Sequence, residues 1–77
     1  MIRSRLKRVR LDKEEREGRK LTYRVIAEET GLSTGVLVRL MNSRFERVEV
    51  QTLDILCRFF DCGVGDLLEY VPGREGG

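Results

Sequence analysis

TYRVIAEETGLSTGVLVRLMN, residues 22 to 42, reads as two short helices joined by a tight turn at Gly31. Ala27 precedes the glycine by four residues and Leu37 follows it by six, with Ile26, Leu32 and Leu40 at the remaining apolar positions. Two helices crossing steeply need this arrangement. Ala27 must be small where the second helix passes over it. Gly31 must take a positive φ, which costs a residue with a Cβ but not glycine. Leu37 and Leu40 then face inward and hold the crossing. Helix-turn-helix units of this kind place their second helix in the major groove of DNA.

The ends of both helices carry signals of their own. Thr22 is an N-cap for the first, and Leu21 before it can staple against Ile26. Thr22, Tyr23 and Arg24 surround a helix start whose unpaired N–H groups attract phosphate. Val25 stands where an acidic residue would complete a capping box, so it reads as an exposed apolar side chain. Ser33 caps the next helix, Thr34 to about Met41. Its outward positions are Thr34, Gly35, Val38 and Arg39, with Val36 at the margin. Arg39 can fork onto a guanine edge, Thr34 can donate, accept or offer a methyl, and Val38 can offer apolar contact to a thymine methyl. Gly35 permits close backbone approach at a cost of about 1 kcal/mol in helix propensity. The competing reading of Val36 and Val38 is that they pack against protein. Beyond Asn42, Arg44 and Arg47 are candidates for phosphate contacts, which position a protein without reading sequence. Phe45, Val48 and Val50 alternate in part with polar residues, which suggests an extended segment from Arg44 to Val50 with an open edge.

The stretch LTYRVIAEETGLSTGVLVRLMN resembles the helix-turn-helix of the Cro/C1-type repressor family, the phage-repressor-like (XRE) bacterial regulators. It has the capped helix, the alanine, the Gly-Leu-Ser turn, the recognition helix and the terminal asparagine. QTLDILCRFFDCGVGDLLEYVP is similar to the two helices that follow in that family. Together they cover roughly two-thirds of the chain. The resemblance implies an all-α, lambda-repressor-like domain of four to five helices. It implies base reading by Thr34, Gly35, Val38 and Arg39, and a backbone contact at Asn42. It also implies double-stranded DNA as partner, a homodimer, and a transcriptional regulator, most simply a repressor. One departure stands at the front, where Asp12 to Lys20 is longer and more charged than the usual link.

Seventy-seven residues make one small domain whose stability alone is marginal. No apolar run approaches the roughly 20 residues of a membrane span, and Met1 to Arg10 is too basic for a secretory segment. The expected location is therefore cytoplasmic, in a bacterial or phage-encoded setting. Cys57 and Cys62 are the two cysteines, and there is no histidine. A zinc site therefore lacks ligands, and the pair reads as two small apolar residues in a reducing compartment. Net charge is +2, unevenly spread. Residues 1–20 hold nine Lys and Arg against four Asp and Glu, while the rest is net acidic. A basic arm on a near-neutral body suits phosphate attraction, and a solvated charged helix is the bland alternative.

Outside the central stretch the signals thin. Ile2, Leu6 and Val9 recur at helical spacing, which predicts a helix from about Ile2 to Glu15, broken by Gly18. The charged residues 12–20 and the terminal 73–77 are expected to be flexible. Leu53, Leu56, Cys57 and Phe60 share one face of a fourth helix that Asp61-Cys62-Gly63 stops. Val64 to Tyr70 is expected as a last short helix docked by Leu67 and Leu68, with Asp66 favouring its first turn.

An enzyme is not indicated: without histidine, a glycine-rich phosphate loop or a nucleophile–base pair, the means for acid–base chemistry are thin. No cofactor, metal or small-molecule ligand is suggested. Two functions stay in play, a DNA-binding regulator and a protein-interaction module on the same fold with an antitoxin-like or anti-repressor role. Val25, Val36 and Val38 sustain the second.

Overall fold

The computed structural model describes residues 1–72. The elements run β1 (Ile2–Ser4), α1 (Leu6–Glu17), α2 (Tyr23–Thr30), α3 (Thr34–Met41), α4 (Val50–Phe60), α5 (Val64–Leu67) and β2 (Leu68–Tyr70). Five helices carry the architecture, as the sequence leads one to expect, and the two strands form a small antiparallel sheet that joins the chain's ends. The core is apolar throughout: Leu6, Leu21, Ile26, Leu37, Leu40, Met41, Leu56, Phe60 and Leu67 are buried.

α2 and α3 form the crossing. Thr22 Oγ1 accepts from the Val25 N–H at 3.2 Å, and Ser33 Oγ accepts from the Val36 N–H at 3.1 Å, so each helix starts on a side-chain cap. Gly31 ends α2 at φ 82°, its N–H donating to the Ala27 carbonyl at 2.8 Å. Ile26 and Leu37 are fully buried at the contact, and Ala27 and Leu32 pack half-buried beside them. Leu21 is also fully buried, its N–H held by Glu14 Oε2 at 2.7 Å.

Both ends of the chain differ from the sequence reading. Ile2 does not begin a helix. It lies in β1, 51% exposed, paired across to Tyr70, with Arg3 opposite Glu69 and Ser4 opposite Leu68. Its helical spacing to Leu6 and Val9 was accidental, because the strand's hydrogen bonds go to residues far away in sequence. Arg5 N–H donates to the Leu67 carbonyl and Val71 N–H to the Met1 carbonyl, both at 2.7 Å, which extends the ladder at each end. α1 starts at Leu6, whose N–H is held by Ser4 Oγ at 3.0 Å, and runs to Glu17, where Gly18 closes it at φ 66°. The last helix is correspondingly shorter than Val64 to Tyr70. It stops at Leu67, because Leu68 turns extended to join β2.

The third difference lies between α3 and α4. No strand forms from Arg44 to Val50. Phe45 and Val48 turn inward and pack half-buried on the core, while Val50, 81% exposed, opens α4. The alternation was a loop burying its two apolar residues. At the far end of α4, Asp61 takes the left-handed conformation at φ 54°, and Cys62 N–H reaches back to the Cys57 carbonyl at 3.0 Å. This is a Schellman closure, in which the residues corresponding to Cys57 and Cys62 ordinarily touch. Both thiols are free, and burial first of all pushes that of Cys62 above its ordinary value.

The charged residues 12–20 engage the fold at several points. Lys13 sits over the Phe59 ring at 4.7 Å and pairs with Glu17 at 2.7 Å. Arg19 bridges Glu17 at 2.8 Å and Glu29 at 2.7 Å, which joins the end of α1 to α2. Hydrogen bonds from Lys13 and then Arg19 hold the Glu17 carboxyl below its usual value, and Arg19 does the same to Glu29. Residues 73–77 lie outside the described residues.

Candidate nucleic-acid interface

α3 divides cleanly into two faces. Leu37, Leu40 and Met41 point into the core, and Thr34, Gly35, Val38 and Arg39 lie exposed on the other side. Val36 is half-buried and packs on the core. Val25, read as exposed, is likewise half-buried against it. Its N–H takes the Thr22 cap. Of the three valines singled out, Val38 is the exposed one, at 39%.

Gly35 and Arg39 are one turn apart and act on each other. A Cβ on Gly35 would lie 3.9 Å from Arg39 Nη1 and 3.9 Å from Ser33 Oγ. The guanidinium therefore folds back along the outer face of α3 towards the helix start, over the bare glycine backbone. In helix-turn-helix proteins it is the start of the recognition helix that meets base edges.

The surroundings of α3 are polar and cationic. Thr22 and Arg24 are exposed and Tyr23 half-buried at the start of α2, where the first backbone N–H groups have no partner within the helix. Arg44 and Arg47 are exposed in the loop after α3. Among the described residues none of Arg24, Arg39, Arg44 and Arg47 forms an ion pair. The Asn42 side-chain amide donates to the Val38 carbonyl at 2.9 Å and so caps its own helix. Of the basic residues in the first twenty, Arg3 pairs with Glu69, and Lys13 and Arg19 are held as described. That segment is a strand and a helix rather than a free arm.

One residue at this site escaped sequence reading. Ser43 follows the cap in the left-handed region at φ 59°. Its N–H donates to the Leu40 carbonyl at 3.1 Å, and the next N–H, of Arg44, donates to the Arg39 carbonyl at 2.7 Å. Its hydroxyl accepts from the Ser4 N–H at 3.0 Å, which ties β1 to the end of α3. Glycine would have advertised such a position. Serine does not, and the partner lies in an element the sequence did not disclose.

Beside α3 runs a groove of about 340 Å³ lined by Val36, Arg39, Leu40, Phe45, Arg47, Val48, Glu49 and Thr52. Among the described residues no helix is long and apolar enough to cross a membrane.

Comparison with known proteins agrees with this arrangement. The model of the Cro/C1-type HTH DNA-binding domain matches residues 5–73. The chain is similar to the uncharacterized HTH-type transcriptional regulator YozG of Bacillus subtilis (strain 168), 29% identical over 59 residues that cover 77% of this chain and 70% of that protein. No solved structure matches. With the crossing, the capped pair of helices and the exposed row on α3 all falling inside the matched span, the chain belongs to the Cro/C1-type helix-turn-helix DNA-binding family.

Proposed function

We propose that this protein is a sequence-specific transcriptional regulator, a repressor, that reads the major groove of double-stranded DNA with α3 as a homodimer. The observation that supports it most is the exposed row Thr34, Gly35, Val38 and Arg39, flanked by the start of α2 and by the exposed Arg44 and Arg47. In this reading Arg39 and Thr34 make polar contacts to base edges, Val38 meets a thymine methyl, and Gly35 lets the helix come close. Thr22, Tyr23, Arg24, Asn42, Arg44 and Arg47 lie along the phosphates and set the register. A single helix reads only a few base pairs, and twofold symmetry doubles the site, with half-sites about 34–36 Å apart. Repression is the simplest consequence of occupying such a site.

The second reading, a protein-interaction module, keeps one supporting observation, the groove lined by Val36, Phe45 and Val48 beside α3. The packing of Val25 on the core removes one of the three valines that favoured it.

Selection from a random DNA pool, followed by affinity measurements across salt, separates the readings. Arg39→Ala is expected to cost roughly 1–3 kcal/mol on the selected site and to relax preference at one base pair. Arg44→Ala is expected to weaken all sequences alike and to lower the salt slope by roughly one unit. Affinity unchanged in both variants at moderate salt would move the groove reading ahead.

A further inference from the structure

From the outer face of α1 we infer a surface on which two copies of this chain pair, helix against antiparallel helix, with Leu11 at the twofold axis. This rests on the homodimer proposed above and names where the copies meet. Leu6 is buried and Val9 packs half-buried on the core, with Lys13 half-buried on the same side. Leu11 is on the opposite side and 54% exposed. Shallow grooves flank it on both sides. One, of about 450 Å³, is lined by Arg8, Leu11, Asp12 and Glu15. The other, of about 440 Å³, is lined by Leu11, Glu14, Glu15, Gly18, Arg19 and Lys20. A ridge between two hollows is the relief that a second ridge can enter.

The occupant follows from charge. α1 is basic before Leu11 (Lys7, Arg8, Arg10) and mainly acidic after it (Asp12, Glu14, Glu15, Glu17). At roughly 100° per residue, Arg8 and Glu15 fall on the same flank of Leu11, three residues before it and four after. A half-turn about an axis through Leu11 and perpendicular to the helix keeps the flank and reverses the direction. It therefore sets Glu15 of the second copy opposite Arg8 of the first, and the reverse, so both ends of the seam close with one opposite pair each. Such self-complementarity is what a twofold interface requires. Among the described residues neither Arg8 nor Glu15 forms an ion pair within the chain. A seam along one twelve-residue helix is small, so the association is weak, salt-dependent and helped by two adjacent half-sites on DNA. None of these residues is among the proposed DNA contacts.

Sedimentation of the full chain without DNA tests the surface. Wild type is expected to self-associate at low salt and less so at high salt. Arg8→Glu and Glu15→Arg are each expected to weaken association by about tenfold or more, since like charges then face each other. Mixed one to one, the two variants are expected to associate again, because each supplies what the other lacks. Leu11→Ser is expected to weaken association without changing charge. Circular dichroism of each variant should match wild type, as all three residues are exposed. A wild type that is monomeric at low salt, single variants that associate unchanged, or a mixture that stays monomeric would each overturn the proposal. Those outcomes are distinct from loss of the DNA reading, which shows as absent DNA binding by the wild type whatever its sedimentation. A dimer on DNA that survives all three substitutions would leave the DNA reading standing and place the interface elsewhere.

Discussion

The helix-turn-helix and the frame around it are built on different principles. From Thr22 to Asn42 the decisive interactions are short in sequence: a cap bond spans three residues, and the turn bond from Gly31 to Ala27 spans four. In the frame they are long, and the pairing of β1 with β2 joins residues 2–4 to residues 68–70. Local interactions leave a residue type at a fixed spacing. Distant pairing of two three-residue strands leaves almost nothing, because the alternation is too brief to see. The helix-turn-helix is thus nearly self-specified, while the frame exists only once β1 and β2 have met.

That contrast can be broken by truncating one apolar residue in each region. Leu37→Ala removes a fully buried side chain at the α2–α3 crossing and is expected to cost about 2–5 kcal/mol. Ile2→Ala removes an apolar side chain that is half in water and is expected to cost well under half as much. Chemical denaturation reads both. A comparable loss for the two would mean that the frame is as integral as the centre.

A smaller effect separates backbone strain from packing at the turn. A Cβ on Gly31 would meet no atom within 4 Å beyond its chain neighbours, so φ 82° is the main obstacle to substitution there. Gly31→Val is expected to destabilise by about 1–3 kcal/mol, and Gly31→Asn by clearly less, because asparagine tolerates this region far better than a β-branched residue. Thermal melts in which the two variants coincide would show that something other than φ sets the cost.

How much could be read in advance follows the same division. The caps at Thr22 and Ser33, the turn glycine, the inward leucines and the outward row on α3 were all visible as residue types at fixed spacings. The inward packing of Val25 was not, because a helix position at the edge of an apolar stripe is decided by the elements that pack around it. Nor was Ile2 legible: a spacing of four to Leu6 suits a helix, and only Tyr70, at the other end of the chain, says otherwise.

Ser43 is where the two regions touch, and its substitution should cost about as much as one hydrogen bond. Ser43→Ala keeps the left-handed strain and leaves the half-buried Ser4 N–H without its acceptor, an expected loss of about 1 kcal/mol. Ser43→Gly loses the same bond but relieves the backbone, so its net effect should be nearer zero. Hydrogen exchange at the Ser4 amide should accelerate in both. Slow exchange in either variant would mean that β1 is held by β2 alone.

The smallest expected effect concerns the other tie between frame and centre, Arg19 bridging Glu17 at the end of α1 and Glu29 on α2. All three side chains are open to solvent, so the contribution at neutral pH is small and screened by salt. Its pH dependence has a fixed sign. Hydrogen bonding to Lys13 and Arg19 lowers the Glu17 pKa in the folded state, and hydrogen bonding to Arg19 lowers that of Glu29, from an ordinary value of 4.5. A carboxylate with a depressed folded pKa binds protons more readily when unfolded. It contributes fully above 4.5 and loses that contribution as pH falls through the lower, folded value. The stability difference between wild type and Arg19→Ala should therefore be constant from neutral pH down to the unfolded pKa. Below that it should shrink and disappear as both carboxylates protonate. Denaturant melts of the two proteins across this range measure it, and a difference that grew on acidification would show that the bridge is not what joins α1 to α2.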